Sequence, residues 1–224
     1  EQKKVWLPKM VAGEWISAIG LTEPGGGSDM KEIKTNAKVD GVDYIINGAK
    51  TFITNGHIAD YVLLATKTDP SLGAKGVSMF WVDLSLPGVS RGKNLKKIGN
   101  KAQDTAELFF DDVRVPAANL VGELNQGWAL LMDGLAQERL VVAVRSIVLA
   151  EAAVDQTIEY TKQRKTFGQT VFDFQNTQFK LAEMTADVEA GRPFIDRCIE
   201  LHAKGECSMY LAAKAKLWAT ELAD

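Results

Sequence analysis

Apolar and polar residues follow two different rhythms along this chain. From residue 14 to residue 121 they alternate in short runs, as in "IKTNAKVDGVDYIINGAKTFITNG", "YVLLATK", "GVSMFWVDL" and "TAELFFDDVRV". A period of two places successive side chains on opposite faces of a strand, so these runs predict a β region. Asp40-Gly41 and Asn47-Gly48 accept positive φ, and both predict two-residue turns between hairpin strands. Pro87, Gly88, Gly92 and Gly99 punctuate the later strands. Short strands joined by turns, with no helical run between them, predict an antiparallel sandwich or small barrel rather than a doubly wound parallel sheet.

From Gly127 the rhythm becomes helical. Leu130, Leu131, Leu135, Leu140, Val141, Val144, Ile147 and Val148 recur at three- and four-residue steps, and the pattern reaches about Gln163, predicting one very long helix or two in line. A second helical run is expected after Asp173, read as its N-cap, and should end near Gly205, with Pro193 as a kink. A third starts near Ser208 and keeps helical spacing to Asp224 without a Gly or Pro stop. At the other end Glu1-Gln2-Lys3-Lys4 runs directly into Val5-Trp6-Leu7-Pro8, so both ends read as cut. The boundary between the halves is expected near residues 118 to 127.

Composition narrows the class. With 46% hydrophobic and 25% charged residues in 224, the chain can bury a substantial core, which argues against disorder. The net charge of -3 comes from 26 basic and 29 acidic side chains interspersed along the chain, unlike a nucleic-acid footprint. No stretch has the roughly 18 uninterrupted apolar residues of a membrane-spanning helix, and residues 1 to 20 lack a signal-peptide order, so an intracellular location is expected. Cys198, Cys207, His57 and His202 cannot supply a tetrahedral metal set, and no metal is expected.

One stretch stands apart. In "TEPGGGSD", residues 22 to 29, three consecutive glycines follow an apolar run, leaving amide N–H groups unshielded in a turn that can form a nest for an anion such as a pyrophosphate. Thr22, Ser28 and Asp29 add polar groups at the rim. The spacing is not G-x-G-x-x-G and no parallel βαβ unit surrounds it, so the dinucleotide fingerprint does not apply.

Set beside "GAKTFITNG", "LFFDDVRVP" and "RKTFGQ", the stretch gains a context. In order and spacing the four segments resemble the acyl-CoA dehydrogenase family of flavoenzymes, and the resemblance covers essentially the whole chain. It implies an α+β, multi-domain fold. Residues 1–13 would end an N-terminal helical domain, 14–121 would form an antiparallel β-sandwich or barrel, and 122–224 would begin an up-down helical-bundle domain. FAD is the implied cofactor. The segments matching Leu21-Thr22 and Gly27-Ser28 would contact the flavin, its pyrophosphate and the acyl-CoA, Ser28 also serving the substrate. Phe52 would stack on the isoalloxazine and the Thr54 hydroxyl would lie near flavin N5. Phe52 departs from the tryptophan common there, keeping a stacking face without an N–H. Arg164, Thr166, Phe167 and Gln175 match residues that hold the adenosine diphosphate half of FAD on a neighbouring subunit, which implies oligomers, usually homotetramers.

The implied reaction is α,β-dehydrogenation of an acyl-CoA thioester, as in fatty-acid β-oxidation. In most of the family the base lies late in the last domain, beyond Asp224. In long-chain and isovaleryl-type members it is a glutamate in a stretch like "LAQERL", which selects Glu138, with Arg139 beside it on the substrate side. Glu138 stands among Leu135, Leu140, Val141 and Val142, and burial there is expected to raise its pKa toward that of an effective base. Electron-transferring flavoprotein or a similar acceptor is the implied partner. The implied location is the cytoplasm in a bacterium or the mitochondrial matrix in a eukaryote. An acyl-CoA or nitroalkane oxidase on the same fold, and a non-catalytic homologue that binds flavin or CoA, are the alternatives.

Overall fold

The computed structural model describes residues 2–224. They form two compact units, one ending at Leu131 and one running from Met132 to Asp224.

The first unit is a helix and a sheet. Helix α1 (Gln2–Val11) precedes strands β1 (Ser17–Gly20), β2 (Asn36–Asp40), β3 (Asp43–Thr54), β4 (Tyr61–Lys67), β5 (Val77–Asp83), β6 (Val89–Arg91), β7 (Thr105–Pro116) and β8 (Leu120–Val121). The sheet order is β6-β7-β3-β2-β4-β5-β8, with β1 also paired to β4. Pairing is antiparallel except at one edge of β4. There Ser17–Gly20 of β1 lie parallel to Tyr61–Leu64, and Asn36 of β2 pairs with Lys67. Two strands therefore share one edge of β4 end to end, and the chain leaves the sheet after Gly20 and rejoins it at Asn36. The glycine-rich segment occupies that excursion.

Alternation supplies the core of this unit. Ile46, Val62, Leu64, Phe80, Leu108 and Val113 are wholly buried in one cluster, each contributing about 1.5–3 kcal/mol on transfer from water. Tyr44 packs on Phe80 at 4.8 Å between ring centroids. Helix α1 docks through Trp6, whose ring lies 5.3 Å from that of Trp81.

Of the two expected turns, one forms. Asp40 pairs with Asp43 across Gly41-Val42, and Gly41 has φ 66°. Arg114 of β7 pairs with Asp40 and Asp43, so its charge holds this hairpin end. Asn47-Gly48 is not a turn: β3 continues through it to Thr54, and the ladder with β7 shifts register between Ile46 and Gly48. The extra residue lies on β7, where Asp112 has φ 48°, and Gly48 opposite it is crowded. A Cβ on Gly48 (φ 151°) would lie 2.6 Å from the Thr35 Cα, while the Asn47 amide exchanges hydrogen bonds with Asp112 of β7.

The second unit is helical. Helix α2 (Gly127–Gln163) is one helix of 37 residues whose first turn lies in the first unit, where Trp128 and Leu131 pack on Val77 and Met79. A small hairpin, β9 (Lys165–Thr166) and β10 (Gln169–Thr170), leads to α3 (Gln175–Ala203) and α4 (Met209–Leu222). Leu140, Ala143 and Ile147 of α2 meet Ile195 and Cys198 of α3 and Ala215 and Ala219 of α4. Helix α3 passes Pro193 without interruption. Asp173 is not its N-cap, because the carboxylate accepts hydrogen bonds from Thr170 N (2.9 Å) and Oγ1 (2.6 Å) and is committed to the preceding turn. Ser208 does cap α4, its hydroxyl accepting from Leu211 N at 3.1 Å. Among the described residues no helix is long and apolar enough to cross a membrane, and no group of three His, Cys, Asp or Glu could hold a metal ion.

Candidate functional site

In the first unit the excursion between β1 and β2 is tied to β3. Glu23 and Gly26 exchange backbone hydrogen bonds at 3.0 Å in both directions and close a turn over Pro24-Gly25. The Glu23 side chain reaches inward and accepts from Lys34 N (2.8 Å), Thr35 N (3.0 Å) and Lys50 Nζ (2.8 Å). Lys50 is wholly buried and also donates to the Leu21 carbonyl at 3.1 Å. Beside it Thr51 N donates to the Thr22 carbonyl at 2.9 Å. Sequence reasoning missed Glu23 and Lys50. A signal was present, since Lys50 stands in phase with Tyr44 and Ile46 on the inward face of β3.

Burial alone would raise the Glu23 pKa, but the hydrogen bonds from Lys50, Thr35 and Lys34 outweigh it and hold the carboxyl below its ordinary value of 4.5. Burial pushes the Lys50 ammonium down from its usual range, and Glu23 offsets part of that. A depressed carboxyl contributes stability that is complete above the unfolded value and is lost as pH falls through the folded one. Acid melting of the full-length protein should therefore show a loss of thermal stability below about pH 4.5, a loss that Glu23→Gln removes. Parallel acid profiles for the two proteins would refute the assignment.

The turn presents an open cradle. A Cβ at Gly25 or Gly26 would meet nothing of this chain within 4 Å, and neither residue has positive φ. Folding of the described residues does not demand glycine there, and the turn is open to solvent. Gly27 approaches the Thr22 side chain, and Ser28 and Asp29 are exposed at the rim.

Phe52 and Thr54 follow the anchoring residues on the same strand. Phe52 sits at φ 58°, in a register shift between Lys50 and Ile53, and its side chain is 67% exposed. The extra residue of this bulge lies on β3, and the left-handed torsion turns a bulky ring into solvent. Thr54 is exposed and lines a cleft of about 310 Å³ with Ser17, Ala18, Ile19, Asn55, Leu63 and Trp81. The Trp81 indole Nε1 is buried without a hydrogen-bond partner. An open glycine turn, an outward aromatic face and an adjoining cleft together suit a flat aromatic ligand.

In the second unit Arg164 follows the last residue of α2, and the hairpin β9–β10 turns at Phe167-Gly168 with φ 50° and 82°. Asparagine-glycine is the usual pair for such a turn; here the first position carries an aromatic ring that is 93% exposed. Arg164 is exposed and forms no ion pair among the described residues. Thr166 is half-buried opposite Gln169, and Gln175 is the exposed first residue of α3. Cationic, aromatic and amide groups are thus gathered within 12 residues and turned to solvent.

Glu138 lies on α2 and is exposed, which corrects the expected burial. Leu140 is two positions on, about 200° round the helix, and faces the bundle core. Leu135, Val141 and Val142 share the face of Glu138, and Val141 and Val142 are themselves exposed. Arg139 turns instead toward α4, its Nη1 standing 2.7 Å from Met209 Sδ.

The family model described as acyl-CoA dehydrogenase, middle domain, matches residues 18–113, and the acyl-CoA dehydrogenase C-terminal domain matches residues 125–224. The chain is 47% identical over 224 residues to the mitochondrial long-chain specific acyl-CoA dehydrogenase of Sus scrofa, covering 99% of this chain and 52% of that protein. It is 39% identical to the mitochondrial isovaleryl-CoA dehydrogenase of Pongo abelii, covering 99% and 53%. The crystal structure of acyl-CoA dehydrogenase from Geobacillus kaustophilus superimposes with a TM-score of 0.96 at 50% identity, over 99% of this chain and 59% of that one. The chain spans about half the length of the curated relatives it matches. With two adjacent domain matches and a matching fold, this chain belongs to the acyl-CoA dehydrogenase family.

Proposed function

We propose that the full-length protein is an FAD-dependent acyl-CoA dehydrogenase that converts a saturated acyl-CoA to its α,β-unsaturated thioester. The observation that carries this reading is the tie between the glycine turn and the strand bearing Phe52 and Thr54, made by Lys50 and Thr51. The family is one of flavoproteins, and the open cradle at Gly25-Gly26 fits such a cofactor.

Leu21, Thr22, Gly27 and Ser28 would lie along the cofactor, with Ser28 also toward the thioester. Phe52 offers a flat apolar face and Thr54 a hydroxyl that donates or accepts. Arg164, Thr166, Phe167 and Gln175 would hold the adenosine diphosphate portion bound to a neighbouring copy, the guanidinium pairing with phosphate oxygens. When bound, FAD supplies the two-electron acceptor for a hydride leaving the substrate Cβ. Glu138 takes the Cα proton onto its carboxylate oxygen. An acyl chain lying over Leu135, Val141 and Val142 would exclude water from the site of proton transfer.

The higher identity to the long-chain enzyme than to the isovaleryl one favours a long straight acyl group. Val148, Leu149, Tyr160 and Phe179 are exposed on α2 and α3, and the assembly we propose is a homotetramer. Electron-transferring flavoprotein is the proposed acceptor. The proposed location is the matrix in a eukaryote and the cytoplasm in a bacterium, since relatives include mitochondrial and Bacillus subtilis proteins.

Anaerobic titration of the full-length protein with acyl-CoAs of graded length tests this reading. Bleaching of the flavin band near ~450 nm, greatest for the long chains, is the expected result. A flavin that no thioester reduces would reject dehydrogenation, and reduction followed by rapid oxygen consumption would favour an oxidase.

A further inference from the structure

The glycine turn is held by a buried ion pair whose charges the tie between turn and strand does not by itself require. Lys50 is wholly buried on β3, where a methionine of similar volume would avoid the cost of desolvating an ammonium. Replacing such a pair by apolar residues is often neutral or stabilising, so net stability is a poor reason for keeping it. Its geometry offers a better one.

Lys50 Nζ draws in the Leu21 carbonyl. The peptide is planar and trans, so its C=O and N–H point opposite ways, and the N–H of Thr22 faces away from the Lys50 ammonium. Among the described residues that N–H has no acceptor. The next peptide is pinned as well, because the Thr22 carbonyl accepts from Thr51 N while Glu23 N donates to the Gly26 carbonyl. Glu23 completes the clamp, fixing the Lys50 ammonium from one side and gripping Lys34 N and Thr35 N on the other. The base of the excursion is thereby closed at its start and at its return to the sheet.

We propose that Lys50 and Glu23 are positioning residues that aim the Thr22 backbone N–H at an acceptor atom of the bound flavin dinucleotide. This rests on the flavoenzyme reading given above. The pair makes no contact with substrate and moves no proton; it orients a donor in advance, so that ligand binding does not bear the cost of ordering it.

The test compares wild type, Lys50→Met and the double variant Lys50→Met with Glu23→Gln, all in the full-length protein. Fluorescence titration of each apoprotein gives the FAD dissociation constant, and calorimetry of the same apoprotein gives its melting temperature. Lys50→Met strands a buried carboxylate and should melt lowest. The double variant removes both charges and should recover much of that loss, while the side-chain carbonyl introduced by Glu23→Gln still accepts from the backbone amides. Neither variant restores the Leu21 tether, so both should bind FAD about tenfold more weakly than wild type and displace its visible band. A double variant with wild-type FAD affinity and spectrum would overturn the proposal and leave the pair a purely structural element. If Lys50→Met does not fold, the double variant alone decides. A wild-type apoprotein that takes up no FAD would remove the cofactor reading, and this inference with it.

Discussion

Glu138→Gln should slow reduction of the enzyme flavin by acyl-CoA about 10²- to 10⁴-fold, the range over which a positioned general base acts. Glutamine keeps the shape of the side chain and cannot take a proton. Glu138 is exposed on α2 and makes no hydrogen bond or ion pair among the described residues, so the replacement breaks no contact within this chain. Stability and FAD content should therefore stay at wild-type values, and that separation is what makes the variant informative. Stopped-flow spectroscopy at saturating acyl-CoA is the measurement. A rate within a factor of two of wild type would place the base elsewhere. Loss of FAD together with rate would instead mean that Glu138 acts on folding.

Gly48→Ala should destabilise the first unit by about 3 kcal/mol, combining a backbone forced into a region L-residues avoid with overpacking against a neighbouring strand. Its Cβ would lie 2.6 Å from the Thr35 Cα, and main chain cannot swing aside as a side-chain tip can. Because Thr35 N donates to Glu23, the displacement should also reach the glycine turn. Calorimetry of the full-length variant should record a fall of roughly 6–12 °C in the transition of this unit, with weaker FAD retention. An unchanged transition would show that Thr35 and β3 yield without cost, and would undo the account of the bulge.

The same two positions mark the reach of sequence reasoning. Helices α2, α3 and α4 were readable because their apolar residues repeat at a helical period and because Ser208 and Gly205 carry local end signals. The hairpin at Gly41 was readable for the same reason, since a two-residue turn is specified by its own torsions. Asn47-Gly48 offers identical local chemistry, yet its glycine lies opposite a bulge in β7, where Thr35, 13 residues earlier, leaves no room for a side chain. Asp173 carries the right side chain for a cap and spends it on Thr170. Glu138 stands among leucine and valine in one dimension, but winding the helix sends Leu140 to the core and leaves the carboxylate outside.

The candidate site divides along the same line. Its chemical parts, the "TEPGGGSD" turn, Phe52 with Thr54, Glu138 and the Arg164–Gln175 stretch, each reside in a short segment and could be named from the resemblance that those segments carry. Hydrophobic rhythm likewise sufficed for a β half followed by a helical half, because burial of one face imposes a period on every strand and helix. The shared edge of β4, which ejects residues 21 to 35 from the sheet, has no local signature. The Lys50–Glu23 clamp shows locally only as a lysine on the inward face of β3; its partner, 27 residues away, does not show at all. Hydrogen bonds and ion pairs form wherever packing brings complementary groups within about 3 Å, and packing is a property of the whole sheet rather than of any run within it.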